Sequence, residues 1–199
     1  MMHIIFENVI NLFQSVVVTV FLMASLGCKD KYNKKCIGII GIVTTFIYLT
    51  VSNHIAYFES VGIYRYMIYS LIFSFWVLGG TIIEKLFYNV MMIGCLVGSA
   101  LLGVGLISLV IKKDFLNAIP FGTVSRYVSG ILVQLLLMLF LGFFIKLKKV
   151  LKEKDNKYMF TMSMIPAISV VICCFMIYRS DKSYEMNVIY TYVSVVGIV

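Results

Sequence analysis

Apolar residues in this chain come in long blocks separated by short polar patches, with no alternation of period two. A bilayer core of about 30 Å takes about 20 helical residues at roughly 1.5 Å each, so such blocks read as membrane-crossing helices. Six are predicted, at 4–26, 37–54, 61–78, 86–111, 124–145 and 158–178. Unbroken apolar runs exclude membrane strands, whose two faces alternate. A seventh block, Val188 to Val199, has only 12 residues and covers about 18 Å. The expected fold is therefore all-α: a polytopic transmembrane helical bundle with six full spans and a truncated seventh. A chain end at that depth costs several kcal/mol or more, so residues 1–199 are expected to be the N-terminal part of a longer protein.

Composition narrows the class. The chain is 61% apolar and 13% charged, against about 45–50% and 25% in soluble domains. With a mean hydropathy of +1.00, no stretch is left for a separate soluble domain. The first block lacks a basic leader and carries Glu7, Asn8, Asn11 and Gln14, so it reads as a retained span, not a cleaved signal.

The net charge of +8 sets orientation and does not indicate nucleic acid, because no folded basic module has room. Odd-numbered connections hold 11 Lys and Arg: Lys29, Lys31, Lys34, Lys35, Lys85, and the cluster Lys146, Lys148, Lys149, Lys152, Lys154 and Lys157. Even-numbered ones hold 6: Arg65, Lys112, Lys113, Arg126, Arg179 and Lys182. The positive-inside rule then puts the N-terminus outside a plasma membrane that the chain crosses several times.

Candidate chemistry sits toward the outer side. Glu7, Asn11 and Gln14, at i, i+4 and i+7, share one face of the first helix. Intramembrane polar stripes line ligand pockets or tie helices together, and the residues themselves leave both readings open. The outer turns add His54, Tyr57, Phe58, Glu59, Tyr64, Arg65 and Tyr66, then Lys112, Lys113, Asp114, Phe115, Pro120 and Arg126. Aromatic and Arg side chains suit recognition, and they equally suit an interfacial belt. From these, the ligand-binding candidates are Glu7, Asn11, Gln14, His54, Tyr57, Glu59, Arg65 and Arg126.

Gly94, Gly98, Ser99 and Gly103 form small-residue spacings in span four that allow close helix packing, within one chain or across a homodimer. Pro166 kinks span six and is a candidate hinge. Cysteines at 28, 36, 95, 173 and 174 have no metal-type spacing and read as small hydrophobes. Two histidines, with no nearby carboxylate read as standing at ligand spacing, are expected to make no metal site. A cysteine peptidase pairing His54 with Cys173 or Cys174 would face outward with no Asp or Asn to orient it. No catalytic residue and no cofactor are expected.

Span count, an outside N-terminus and a Lys-rich inner turn resemble the membrane sensor region of GHKL-type sensor histidine kinases, the Agr-like peptide receptors. Glu84-Lys85-Leu86-Phe87-Tyr88-Asn89 resembles the entry to span four there, and Ile165-Pro166-Ala167-Ile168-Ser169 resembles a recurrent segment of span six. The resemblance implies a receptor for an extracellular small molecule or peptide that signals to a cytoplasmic kinase and its response regulator. The family's phosphoacceptor histidine and nucleotide box are absent from these residues. The alternative is a small membrane transport component of the vitamin-uptake, substrate-binding type, for which an even span count and a polar tail would be expected.

Overall fold

The computed structural model describes residues 2–54, 62–111 and 122–151. Within them the chain forms five helices: α1 Met2–Leu26, α2 Lys34–His54, α3 Gly62–Val77, α4 Ile82–Ile111 and α5 Val124–Leu151. No strand occurs among the described residues beyond an isolated antiparallel bridge, Cys28 to Leu78. Among the described residues four helices are long and apolar enough to cross a membrane: His3–Leu26, Lys34–Ser52, Ile82–Ile111 and Val124–Lys146. The apolar part of α3, Tyr66–Val77, is shorter. The blocks at 158–178 and 188–199, with Pro166, Cys173 and Cys174, lie outside the described residues, as do Tyr57 and Glu59.

Helix starts differ from the expected ones because caps draw polar residues into the helices. Asn33 accepts a hydrogen bond from the Lys35 amide at 2.9 Å, so α2 begins at Lys34, ahead of its apolar block. Thr81 and Glu84 form a reciprocal capping box: the Thr81 amide donates to Glu84 Oε2 at 2.6 Å and the Glu84 amide to Thr81 Oγ1 at 3.3 Å. That box starts α4 at Ile82, four residues before the apolar run at Leu86. Gly27, with φ of 73°, ends α1 in the left-handed conformation that costs other residues strain.

α1 and α4 touch each other and form the middle of the bundle; α1 also packs on α2 and α5, and α4 on α3 and α5. α1 and α2 run antiparallel, with Gly41 against Thr19 and Gly38 against Met23. α1 and α5 run parallel, since Glu7 meets Arg126 and Gln14 meets Gln134. One end of the bundle thus holds the starts of α1, α3 and α5 and the ends of α2 and α4; the other holds the first and third connections, with Lys29, Lys31 and Lys34, and the end of α5. There the first and third connections are joined, the Gly79 amide donating to Gly27 O at 3.0 Å and the Lys29 ammonium to the Phe75 and Trp76 carbonyls at 2.9 and 3.0 Å. Those carbonyls are at the C-terminus of α3, where a cation meets the negative end of the helix dipole.

Polarity is distributed as a lipid solvent requires. Ser15, Thr19, Thr45, Ser70, Ser74, Asn89, Ser99 and Gln134 are buried, whereas Ile5, Val9, Val20, Ile39, Leu109, Val110 and Leu139 are exposed. Apolar side chains gain nothing by hiding from lipid tails, so packing and hydrogen bonds decide what faces inward.

Candidate functional site

Along α1 the buried face is continuous: Asn11, Ser15, Val18, Thr19, Leu22 and Ser25 recur at helical spacing. Its upper part, from Glu7 to Gln14, lies against α5. Arg126 Nε donates to Glu7 Oε1 at 2.8 Å and Nη2 donates to Oε2 at 3.3 Å, a two-pronged pair between residues 119 apart in sequence. The side chains of Arg126 and Glu7 are 30% and 20% exposed, so the pair lies at the rim and not in the middle of the bundle. Deeper along the same seam, Gln134 Nε2 donates to Gln14 Oε1 at 3.2 Å. Gln134 is buried, and its own carbonyl oxygen has no hydrogen-bond partner among the described residues.

Local structure explains how α5 presents these groups. Thr123 caps the helix, with the Arg126 amide donating to its Oγ1 at 3.4 Å, and this fixes Arg126 in the first turn. Eight residues later Gln134 falls on the same face, and Ser129 between them is buried and donates to the Arg126 carbonyl at 2.9 Å. Gly130 lets the helices approach, since a Cβ there would lie 3.2 Å from the Phe6 ring. Phe6 and Tyr127 meet edge to face at 4.7 Å between centroids and cover the seam beside the ion pair.

Of the sequence candidates, the structure brings together Glu7, Gln14 and Arg126, with Asn11 buried on the same face of α1. His54 ends α2 and Arg65 lies in the first turn of α3, at the same end of the bundle. The small residues of α4 separate into different roles. A Cβ at Gly103 would come within 2.5 Å of Val133 Cγ2 and 3.3 Å of the Val133 amide nitrogen, so Gly103 is where α4 and α5 approach within one chain. Gly98 has open space beside it, Gly94 is half-buried, and Ser99 is buried with its hydroxyl on the Leu96 carbonyl at 3.0 Å.

Sequence reasoning passed over Gln134, although it is the one amide in the apolar stretch 128–145 and stands at i+8 from Arg126. It assigned no packing role to two other polar groups in the bundle. Asn89, 0% exposed, donates to Ser74 Oγ at 2.9 Å and to the Lys85 carbonyl at 2.7 Å, joining α4 to α3. Between α2 and α3, Tyr48 stacks on Tyr69 at 5.1 Å, and the Tyr69 hydroxyl lies 2.6 Å from Thr44 Oγ1. A Ser, Thr or Tyr on an apolar helix gives no sign of its partner from spacing alone. No group of three His, Cys, Asp or Glu side chains gathers among the described residues.

These features define the class as a helical membrane protein with a polar seam opening at one rim. No family model, curated protein or solved structure matches the chain.

Proposed function

We propose that the chain is the receptor portion of a two-component sensor histidine kinase, binding an extracellular peptide or small molecule and relaying it to a cytoplasmic kinase and response regulator. In this reading the N-terminus lies outside the plasma membrane, six full spans and a seventh cross it, and two copies act together. The observation that carries it is the partly exposed Glu7–Arg126 pair at the rim between two parallel helices. A ligand amide or carboxylate can compete for either partner there, because both have solvent on one side and a low-dielectric seam on the other. α5 then runs unbroken for 28 residues, about 42 Å, from that pair to the lysine-rich end. Breaking a pair intermediate between exposed and buried is worth about 1–2 kcal/mol, so exchanging it for ligand contacts at one end of such a helix can bias its position against α1 by up to that amount and shift a two-state population severalfold. Glu7, Asn11, Gln14 and Arg126 are the contacts proposed for the signal, and His54, Tyr57, Glu59 and Arg65 are the further ligand-binding candidates.

The test joins the chain to a soluble histidine-kinase module and follows phosphotransfer to its regulator in membrane vesicles. Glu7→Gln and Arg126→Gln are expected to change basal output, and the exchanged pair Glu7→Arg with Arg126→Glu to restore it. Output indifferent to all three, in protein that still folds, removes the reading.

A further inference from the structure

At the end of the bundle opposite the ion pair, an open-sided hollow of about 310 Å³ lies between the start of α2 and the end of α3. Its walls are Tyr32, Ile37, Ile40, Trp76 and Val77. Trp76 is 75% exposed, and Tyr32 and Ile40 are exposed beside it. Indole and phenol rings favour the head-group level of a bilayer, which puts this hollow where an acyl chain meets its head group.

The segment leading into α2, which carries two of these walls, is basic. Lys29 holds its ammonium 3.0 Å from the carbonyl of Trp76, on the wall itself. The Lys31 ammonium lies 6.0 Å from the Tyr32 ring centroid. Lys34 and Lys35 open α2 three and two residues before Ile37, where the positive end of the helix dipole adds to their charge. Asp30 is the carboxylate on the first connection, and Glu84, in the first turn of α4, is engaged by the Thr81 amide.

From an apolar hollow at head-group depth, with Lys29 on its wall and Lys31, Lys34 and Lys35 on the segment that carries its lining residues Tyr32 and Ile37, we infer a binding site for an anionic phospholipid. The acyl chain lies along Ile37, Ile40 and Val77, and the phosphate meets the ammonium groups of Lys31, Lys34 and Lys35, with Lys29 fixed to the end of α3 as the inner wall. Charge complementarity selects this occupant over a zwitterionic lipid, whose own cation would be repelled by these lysines. The inference does not depend on the receptor reading.

Trp76 is the single tryptophan of the chain and reports on its own site. The full chain is reconstituted in phosphatidylcholine vesicles containing either brominated phosphatidylglycerol or brominated phosphatidylcholine, and quenching of Trp76 fluorescence is compared. Preference for the anionic lipid is expected at about fivefold for each lysine the phosphate engages. The triple substitution Lys31→Gln, Lys34→Gln, Lys35→Gln should bring the two lipids to equality. Ile40→Phe fills the hollow without touching a charge and should also reduce the preference. For the unaltered protein, raising salt from about 0.1 to 1 M shortens the screening length from about 10 to 3 Å and should weaken the preference in step. Equal quenching by the two lipids overturns the site. A preference that survives the triple substitution, or that Ile40→Phe leaves unchanged, also overturns it, since the attraction would then be diffuse.

Discussion

Substituting Glu7→Gln and Arg126→Gln, singly and together, isolates the ion pair that joins α1 to α5. Its two contacts, at 2.8 and 3.3 Å, match the fork of a guanidinium against a carboxylate. A fully exposed pair would couple the two residues by about 0.2–1 kcal/mol, and a fully buried one would lose about 3–5 kcal/mol when either partner is removed. With the two side chains 30% and 20% exposed, the coupling should fall between these limits, at about 1–2 kcal/mol. The neutral bond from Gln134 to Gln14 on the same seam serves as the reference and should be worth about 0.6 kcal/mol. Unfolding free energies in graded denaturing detergent, measured for the parent, each single variant and the double variant, give the coupling directly. A value below about 0.5 kcal/mol, the error of additivity, would refute the view that this pair orients α5 on α1.

Further outcomes test other parts of the molecule. Gly103→Ala should destabilise the bundle by about 1–3 kcal/mol, because the new methyl meets Val133 side chain and backbone, whereas Gly98→Ala should stay within about 0.5 kcal/mol; both are read by the same detergent unfolding. Gly41→Ala should cost a similar 1–3 kcal/mol, since its Cβ would lie 2.7 Å from Thr19 Cγ2 and 2.8 Å from the Phe73 ring. Lys29→Met removes two bonds to the end of α3 and should cost about 0.5–1.5 kcal/mol, with faster amide exchange at Gly79, whose amide bonds the joined connection. In a background without native cysteines, Asp30→Cys and Asp155→Cys should resist an impermeant thiol reagent in intact cells while Ser183→Cys is labelled; the reverse pattern would invert the orientation.

The sequence by itself determined the helical character of the chain, because runs of about 20 apolar residues satisfy both the bilayer thickness and the backbone's need for internal hydrogen bonds. It also placed Glu7, Asn11 and Gln14 on one face of α1, since helical periodicity is a local property that neighbours do not alter. The helix starts at Lys34 and Ile82 were written in Asn33 and in the Thr81–Glu84 box, but hydropathy weighs those residues as polar and stops short of them. Only the tertiary structure decided that the α1 stripe faces α5, that Arg126 reaches Glu7 across 119 residues, and that Gly103 and not Gly98 abuts α5. The reason lies in the solvent. In water an apolar face identifies itself as the core, but in lipid the inward and outward faces are both apolar, and the choice between them rests on steric fit and on which buried polar groups find each other, neither of which leaves a period in the sequence.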